Sequence, residues 1–198
     1  VDALKFNRFV TAVAARCSQL LNYNALAEDA DIDIQTSKAW INILETLGII
    51  FLLHPYSNNV LKRTIKTPKV YFYDTGLVCY LTRWSSPEVA ESGAMSGALL
   101  ENYTVSEIMK SYQNAGLEPY LYFYRDRDAK EIDVILEGDG KLCPLEIKKT
   151  ATPDKRLTRV FHVIDKSPLR LGTGAVLCMA DKFSAFDSNN LIVPIWMI

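Results

Sequence analysis

The chain has 198 residues, a formal net charge of −1, 49% hydrophobic residues and 23% charged residues. This length and composition are typical of a globular chain with one large domain or two small ones, and they exclude a chain that is disordered throughout. They also exclude nucleic-acid binding through an overall positive charge, so any such binding must come from local basic patches.

The apolar runs and the cysteines predict a cytoplasmic chain that does not associate with a membrane. The run at residues 47–53 is among the longest, and it is far shorter than the roughly 20 residues of a membrane-spanning helix. The four cysteines form neither a CxxC pair nor a zinc-ligand spacing with a histidine, which favours structural thiols in a reducing cytosol. The first residue is Val1 rather than Met, so we expect further protein to precede it.

Three helices are predicted at the start of the chain. Apolar residues recur at helical spacing over residues 6–21, and a short second helix has Asn24 as its predicted cap. Asp33 is the predicted N-cap of a third helix over residues 34–47, and Gly48 is the residue that ends it.

A β-hairpin follows the third helix in the sequence pattern. Residues 49–53 and 60–65 have strand character and flank a turn rich in Pro, Ser and Asn. Three helices and a hairpin are the layout of a winged helix-turn-helix domain, here residues 1–67. Its predicted nucleic-acid-binding residues are cations of the third helix and the wing, namely Lys38, Lys62, Arg63 and Lys66, with Lys69 beside them. The alternative is a module that binds protein or only connects domains.

The remainder, residues 68–198, has a different order of elements. A surface loop is predicted over residues 83–97, and an amphipathic helix over residues 98–112 precedes three strands, a second helix and two further strands. The strands are predicted at residues 120–124, 131–136, 142–148, 175–179 and 191–195, and the second helix at residues 155–165. We therefore predict an α+β chain whose second half reads αβββαββ around a mixed central sheet.

The sharpest chemical signal lies on two adjacent predicted strands. Side chains alternate between the faces of a strand, so Glu131 shares a face with Asp133, and Glu146 shares a face with Lys148. A tight turn at residues 138–140 makes these strands antiparallel neighbours. The two acidic faces are then adjacent.

These residue types suit metal-dependent cleavage of phosphodiesters. Two carboxylates can hold Mg²⁺ or Mn²⁺, the ion polarises the phosphodiester, and a lysine orients water or stabilises the oxyanion. Asp133, Glu146 and Lys148 are the predicted catalytic residues, and Glu101 at the start of the amphipathic helix is a further predicted metal ligand. The alternative is a solvated face on which the same groups form weak ion pairs.

A second basic cluster lies near the predicted helix of residues 155–165. Arg156 and Arg159 are three residues apart, with Lys155 beside them and Lys148 and Lys149 just before. They can face one way on a helix. A solvated helix face is the favoured interpretation, and His162 is expected to be structural.

Several segments together resemble a known family. They are PKVYFYDTGL at residues 68–77, GALLENYTVSE at residues 97–107, YFYR at residues 122–125, EIDVIL at residues 131–136 and PLEIK at residues 144–148. This pattern resembles the PD-(D/E)XK restriction-endonuclease-like superfamily and, more closely, the C-terminal region of prokaryotic AAA-type ATPases. The resemblance covers most of residues 26–150 and implies a nuclease-like domain over residues 68–198.

The resemblance also implies roles for residues and partners. Asp133 and Glu146 would be metal ligands, Lys148 the catalytic lysine and Glu101 an additional acid. The chain has no G-x-x-x-x-G-K-(S/T) motif, so ATP binding is implied only for an ATPase domain ahead of Val1. Two functions stay open: a Mg²⁺-dependent nuclease acting on DNA or RNA, and a noncatalytic interaction or regulatory module of an ATPase. The oligomeric state also stays open.

Overall fold

The computed structural model describes residues 2–56 and 65–198. It has helices and a mixed sheet, which confirms the predicted α+β class. The described residues form two compact units, the first from residues 2–52 and 68–106 and the second from residues 53–56, 65–67 and 107–198. This division differs from the predicted boundary at residue 67.

Six α-helices and two strands precede the larger sheet in the described residues. The helices are α1 (Ala3–Ala14), α2 (Tyr23–Ala30), α3 (Ile34–Thr46), α4 (Thr75–Leu81), α5 (Pro87–Ser92) and α6 (Ser96–Asn114). The strands β1 (Ile50–Leu53) and β2 (Lys69–Phe72) form a two-stranded sheet. Within residues 2–56 and 65–198, no helix has both the length and the apolar character needed to cross a membrane.

Side-chain caps explain where the first helices begin. The carboxylate of Asp33 accepts the backbone N–H of Thr36 at 2.9 Å, and Gly48 follows α3 with a φ of +66°, so both predicted ends of α3 are confirmed. The predicted cap of α2 is wrong: Asn22 caps the helix, and Asn24 donates its backbone N–H to the Asn22 side chain.

The core of the first unit forms around the amphipathic helices. Trp40 of α3 meets Phe6 and Phe9 of α1 edge-on, with ring centroids 5.1 and 5.3 Å apart. Ile41 and Leu44 on the same helix are fully buried. Such aromatic and aliphatic burial is the main stabilising contribution in a unit of this size.

Two sequence predictions about the first unit need correction. β1 is paired with β2, whereas the predicted return strand falls mostly on residues 57–64, which lie outside the described residues. The predicted surface loop contains α5, because Ser86 caps that helix through Val89 N–H and Pro87 occupies its first position.

The buried Asn102 anchors α6 to β2. Its side-chain oxygen accepts the backbone N–H of Phe72 at 2.8 Å. Its amide donates to the Phe72 carbonyl at 3.1 Å and to the Thr75 hydroxyl at 2.9 Å. A fully satisfied buried amide of this kind fixes the position of the helix on the strand.

The second unit is built on a mixed sheet. Its strands are β3 (Leu121–Arg125), β4 (Glu131–Gly138), β5 (Lys141–Lys148), β6 (Arg170–Leu171), β7 (Gly174–Cys178), β8 (Ser184–Asp187) and β9 (Asn190–Pro194). The order is β3-β4-β5-β7-β9-β8, with β6 also beside β5. β3, β4 and β5 are antiparallel neighbours, β5, β7 and β9 run parallel, and β8 returns antiparallel to β9. The five predicted strands are present, and β6 and β8 are additional.

The turn between β4 and β5 sets the register of the predicted site. Asp139 and Gly140 both have positive φ, at 50° and 70°, and Gly138 is paired with Lys141. Two consecutive positive φ values are typical of the two-residue turn that matches the twist of a hairpin. The predicted tight turn is confirmed.

A 3-10 helix over Lys155–Ile164 replaces the predicted α-helix. Because residues three apart align in a 3-10 helix, Thr158, Phe161 and Ile164 form one buried row. The row lies close to the sheet: a Cβ at Gly174 would come within 2.7 Å of the Phe161 ring, so β7 begins with a residue that permits this approach. The spacing of apolar residues in the sequence fits both an α-helix and a 3-10 helix, which is why the predicted α-helix is wrong.

Candidate active site

Two acidic side chains lie on the same face of the β4–β5 hairpin. Val134 is paired with Leu145, and continuing this antiparallel register by one residue sets Asp133 opposite Glu146. Residues that are directly opposite on antiparallel strands have Cβ atoms about 4.5–5.5 Å apart. The predicted adjacency of these two acids is therefore consistent with the observed register.

Both carboxylates are withdrawn from solvent. Asp133 is 7% exposed and Glu146 is 8% exposed. The Asp133 carboxylate accepts the backbone N–H of Ile147 at 2.8 Å, which stabilises it in the ionised form. Burying ionised groups is costly without such partners, so the solvated-face interpretation does not describe these two residues.

Lys148 completes the group from the same face of β5. Its Nζ lies 2.8 Å from Oε1 of Glu146, and its side chain is 44% exposed. Because the two residues are two positions apart on a strand, they share a face, as the sequence predicts. The lysine therefore combines a buried acidic partner with access to solvent.

Glu131 conforms to the alternative interpretation. Its carboxylate lies 3.0 Å from Nη1 of Arg125 on β3, and both side chains are partly exposed. This is a cross-strand ion pair at the sheet surface, of the kind that contributes about 0–1 kcal/mol. Arg125 is thereby placed in a structural contact.

Glu101 lies in the first unit, on α6. Its Oε1 accepts a hydrogen bond from the Lys69 ammonium at 2.9 Å and from the Tyr71 hydroxyl at 2.6 Å. Lys69 is buried, with a side chain that is 4% exposed, so its predicted contribution to the basic surface near the wing is wrong. The role of Glu101 as a metal ligand beside the acids of the second unit stays a prediction.

Two families of unknown function match the chain. Residues 96–198 match Domain of unknown function DUF4143, and residues 1–88 match Domain of unknown function DUF8612. The DUF4143 match covers more than half of the chain. The chain belongs to the DUF4143 family.

Two curated mycobacterial proteins are similar to this DUF4143 member. They are the uncharacterized proteins Mb2031c of Mycobacterium bovis and Rv2008c of Mycobacterium tuberculosis, each 29% identical over 172 residues. The matched region covers 86% of the chain but only 38% of either relative. The chain thus spans well under half the length of these relatives. No solved structure matches it.

The predicted nucleic-acid-binding residues of the DUF4143 member divide into two groups. Lys38 on α3 is exposed, with Nζ 5.8 Å from the centroid of the Tyr23 ring, and Lys66 is exposed. Lys62 and Arg63 lie outside the described residues. Contact of any of the four with nucleic acid stays a prediction.

Asp133 and Glu146 offer few protein ligands for a metal ion. Among residues 2–56 and 65–198, no group of three or more His, Cys, Asp or Glu side chains is placed to hold a metal ion. A site at Asp133 and Glu146 would therefore use two protein carboxylates.

The sequence patterns also do not predict a cleft beside the 3-10 helix, where Arg159 and Lys141 lie close to Asn190. The three-residue spacing of Arg156, Arg159 and His162 is the only sequence signal for it.

Proposed function

We propose that the second unit is a metal-dependent phosphodiesterase domain that cleaves DNA or RNA at Asp133, Glu146 and Lys148. The observation that carries this proposal is the placement of two buried carboxylates and one half-exposed lysine on one face of β4 and β5. Buried charged groups are costly to a fold, and their concentration with a solvent-accessible cation is typical of a reactive site.

The order of elements around these residues also supports the proposal. α6 precedes the three antiparallel strands, and the acids and the lysine lie on β4 and β5, near the middle of the sheet. This is the arrangement that the resemblance to PD-(D/E)XK nucleases implies. A nuclease-like fold alone does not establish cleavage, so the proposal rests on the side chains.

The donor set fits Mg²⁺ or Mn²⁺. Carboxylate oxygens are hard ligands, and Mg²⁺ in enzymes commonly takes one or two protein carboxylates and completes its shell with water and substrate phosphate oxygens. Asp133 and Glu146 would hold the ion. When bound, such an ion supplies Lewis acidity at the phosphoryl group and lowers the pKa of water.

The chain's own residues have separate tasks in this proposal. The Ile147 N–H fixes the orientation of the Asp133 carboxylate. Glu146 holds the Lys148 ammonium on the same face of the sheet, where the lysine can donate a hydrogen bond to a phosphoryl oxygen as negative charge develops there. Partial burial strengthens these electrostatic interactions relative to water.

We further propose that the whole protein is an ATP-binding protein of the AAA type, with this chain as its C-terminal region. The resemblance supports this. The chain matches only 38% of each mycobacterial relative, so these relatives contain further sequence outside the matched region. The winged-helix assignment of the first unit, its contact with DNA and a cytoplasmic location belong to the same proposal.

One observation favours the noncatalytic alternative. The Asp133 carboxylate already accepts the Ile147 N–H, and the Glu146 carboxylate already pairs with Lys148. Each acid therefore has at least one partner within the fold without a metal ion. A regulatory or interaction module of an ATPase accounts for the same contacts.

Calorimetric titration separates the two functions. Wild type, Asp133→Asn and Glu146→Gln are titrated with Mg²⁺ and Mn²⁺, with Glu137→Gln on β4 as a control that removes the same charge. We expect millimolar or tighter binding by wild type and by the control, and loss of that binding in both site variants, because each loses a ligand.

A cleavage assay then tests turnover. Single-stranded DNA, double-stranded DNA and RNA are incubated with each protein and Mn²⁺, together with Lys148→Gln and the control Lys182→Gln, which removes one exposed charge between β7 and β8. Metal-dependent cleavage that disappears in the three site variants supports the phosphodiesterase. Equal calorimetric traces for wild type and both acid variants would reject it and leave the noncatalytic module.

A further inference from the structure

A cationic cleft runs beside the 3-10 helix of the second unit. Two adjoining cavities have volumes of about 270 and 530 Å³. Both are lined by Thr158 and His162 of the helix, and both are also lined by Asn189 and Asn190 of the β8–β9 turn. Lys141 lines the smaller cavity and Arg159 the larger. The helix, the start of β5 and the β8–β9 turn therefore border both cavities.

The 3-10 winding places its basic side chains in a straight row. Residues three apart eclipse one another, and the rise of about 2.0 Å per residue separates successive members by about 6 Å along the axis. Arg156, Arg159 and His162 form this row and all line the larger cavity. The neighbouring row of Thr158, Phe161 and Ile164 is buried, which holds the basic row facing outwards.

The cleft has an excess of positive charge. Arg156 pairs with Asp154 and Lys155 pairs with Asp187, at 2.7 and 2.8 Å. In the part of the chain that the structure describes, Arg159 has no acid within ion-pair distance, and the same holds for Lys141. Exposed pairs such as that of Arg156 are weak, so an incoming anion can compete for the guanidinium.

The opposite wall of the cleft is ordered by Asp187. Its carboxylate accepts the backbone N–H of Asn189 at 2.9 Å and the side-chain amide of Asn190 at 3.0 Å, besides the Lys155 ammonium. These contacts hold the β8–β9 turn against the 3-10 helix. The cleft is thus formed within the fold before any ligand arrives.

The wall of the cleft at Pro144 lies on the face of the sheet that carries the carboxylates, whereas Lys141 is the first residue of β5 and alternates to the other face. Pro144 of β5 lines the smaller cavity, and Glu146 is two residues further along the strand. Because alternate residues share a face and each residue advances about 3.4 Å, the two positions are separated by about 7 Å on one face. A strand of nucleic acid can therefore reach both.

We propose that this cleft binds phosphates of the nucleic-acid strand on which the phosphodiesterase site acts. The inference rests on the proposed function for the location of cleavage, and it adds Arg159 and Lys141 as the principal phosphate contacts, with Arg156 at the edge. The guanidinium groups of Arg156 and Arg159 can each contact a phosphate along a strand, and binding of this kind is independent of base sequence.

The test measures binding without cleavage. A fluorescein-labelled single-stranded oligonucleotide is titrated with the full chain in EDTA at several salt concentrations. Arg159→Gln and Lys141→Gln are compared with wild type and with Lys182→Gln, which removes one exposed charge from the β7–β8 loop. Pyrophosphate, as a free phosphate source, is titrated in parallel and as a competitor.

We expect each cleft variant to bind the oligonucleotide several-fold more weakly than wild type. The slope of log K against log salt should fall by about 0.7 for each phosphate contact that is lost from a single strand. Lys182→Gln should match wild type. The inference is overturned if the cleft variants bind like wild type, if the control loses as much affinity, or if pyrophosphate binds and the oligonucleotide does not.

The same data distinguish this inference from the proposed function. Asp133→Asn is included in the EDTA titration, where loss of one negative charge should leave its affinity equal to or higher than that of wild type. Binding that depends on Arg159 in a protein without cleavage activity would reject the phosphodiesterase and keep the cleft. Cleavage by a protein whose affinity is insensitive to Arg159 and Lys141 would reject the cleft alone.

Discussion

Each unit contains a glutamate–lysine pair, and the two pairs differ in the exposure of the cation. In the first unit the Lys69 side chain is 4% exposed beside Glu101, and in the second the Lys148 side chain is 44% exposed beside Glu146. The N–O distances are nearly equal, at 2.9 and 2.8 Å. Contact geometry therefore does not separate the pairs, whereas access to solvent does.

The difference indicates what each pair can do. Lys69 is enclosed, and the Tyr71 hydroxyl gives Glu101 a second donor, so this cluster fixes β2 against α6. The Lys148 ammonium is already partly hydrated and can reach a ligand in solvent, whereas the Glu146 carboxylate that it contacts stays buried. The same residue types thus serve structure in one unit and are available for chemistry in the other.

The largest expected effect comes from breaking the enclosed pair. Glu101→Gln removes the carboxylate that lies 2.9 Å from the buried Lys69 ammonium, and we expect a loss of about 3–5 kcal/mol in the free energy of unfolding. Urea unfolding measures this. The matched control is Glu107→Gln on the same helix, whose partner Lys110 is partly exposed, with an expected loss of about 0–1 kcal/mol. Equal losses would contradict the distinction between the pairs.

Two substitutions of Asp133 separate the contribution of its hydrogen bond to the free energy of unfolding from the contribution of its charge. Asp133→Ala leaves the Ile147 N–H without its acceptor, and we expect a loss of about 1–3 kcal/mol in the free energy of unfolding. Asp133→Asn keeps an oxygen that can accept that N–H. It also removes a negative charge opposite Glu146, and two like charges opposite each other destabilise an antiparallel pair of strands. The Asn variant should therefore be at least as stable as wild type. A loss in the Asn variant as large as that in Ala would show that the charge stabilises the fold.

Lys148 should have a smaller effect on stability than Glu101. Its ammonium is half-exposed but the Glu146 carboxylate that it contacts is buried, so we expect Lys148→Gln to lower the free energy of unfolding by about 1–3 kcal/mol, less than Glu101→Gln. Urea unfolding beside Glu101→Gln gives a direct comparison of the two pairs. A loss that approaches that of Glu101→Gln would place Lys148 among the structural groups and weaken its assignment to chemistry.

The smallest effect concerns the exposed pair of Asp187 and Lys155. The Lys155 ammonium, with the Asn189 and Asn190 amides, lowers the pKa of Asp187 to about 2 from its usual value of 3.8. A depressed pKa stabilises the fold above the usual value, and that contribution is lost as pH falls towards 2. The urea midpoint of wild type should therefore fall more steeply from pH 4 to pH 2 than that of Asp187→Asn. Parallel curves for the two proteins would contradict this.

Local patterns predicted most of the second unit. Strand alternation placed Glu146 and Lys148 on one face, and the Asp139–Gly140 turn set the hairpin register, because both depend on residues close in sequence. The partner of β1 could not be predicted in this way, since β2 follows an intervening segment. The pairing of Lys69 with Glu101 is likewise nonlocal, which is why the sequence suggested a surface cation.

The winding of Lys155–Ile164 has a mechanical consequence. An α-helix turns 100° per residue and rises 1.5 Å, whereas a 3-10 helix turns 120° and rises about 2.0 Å. Rewinding these ten residues into an α-helix would shorten the segment by about 5 Å. Residues three apart, which are aligned in the 3-10 helix, would then differ in direction by about 60°. Arg156 and His162 would then diverge on either side of Arg159, so the alignment of these three side chains depends on a stretched helix rather than on composition.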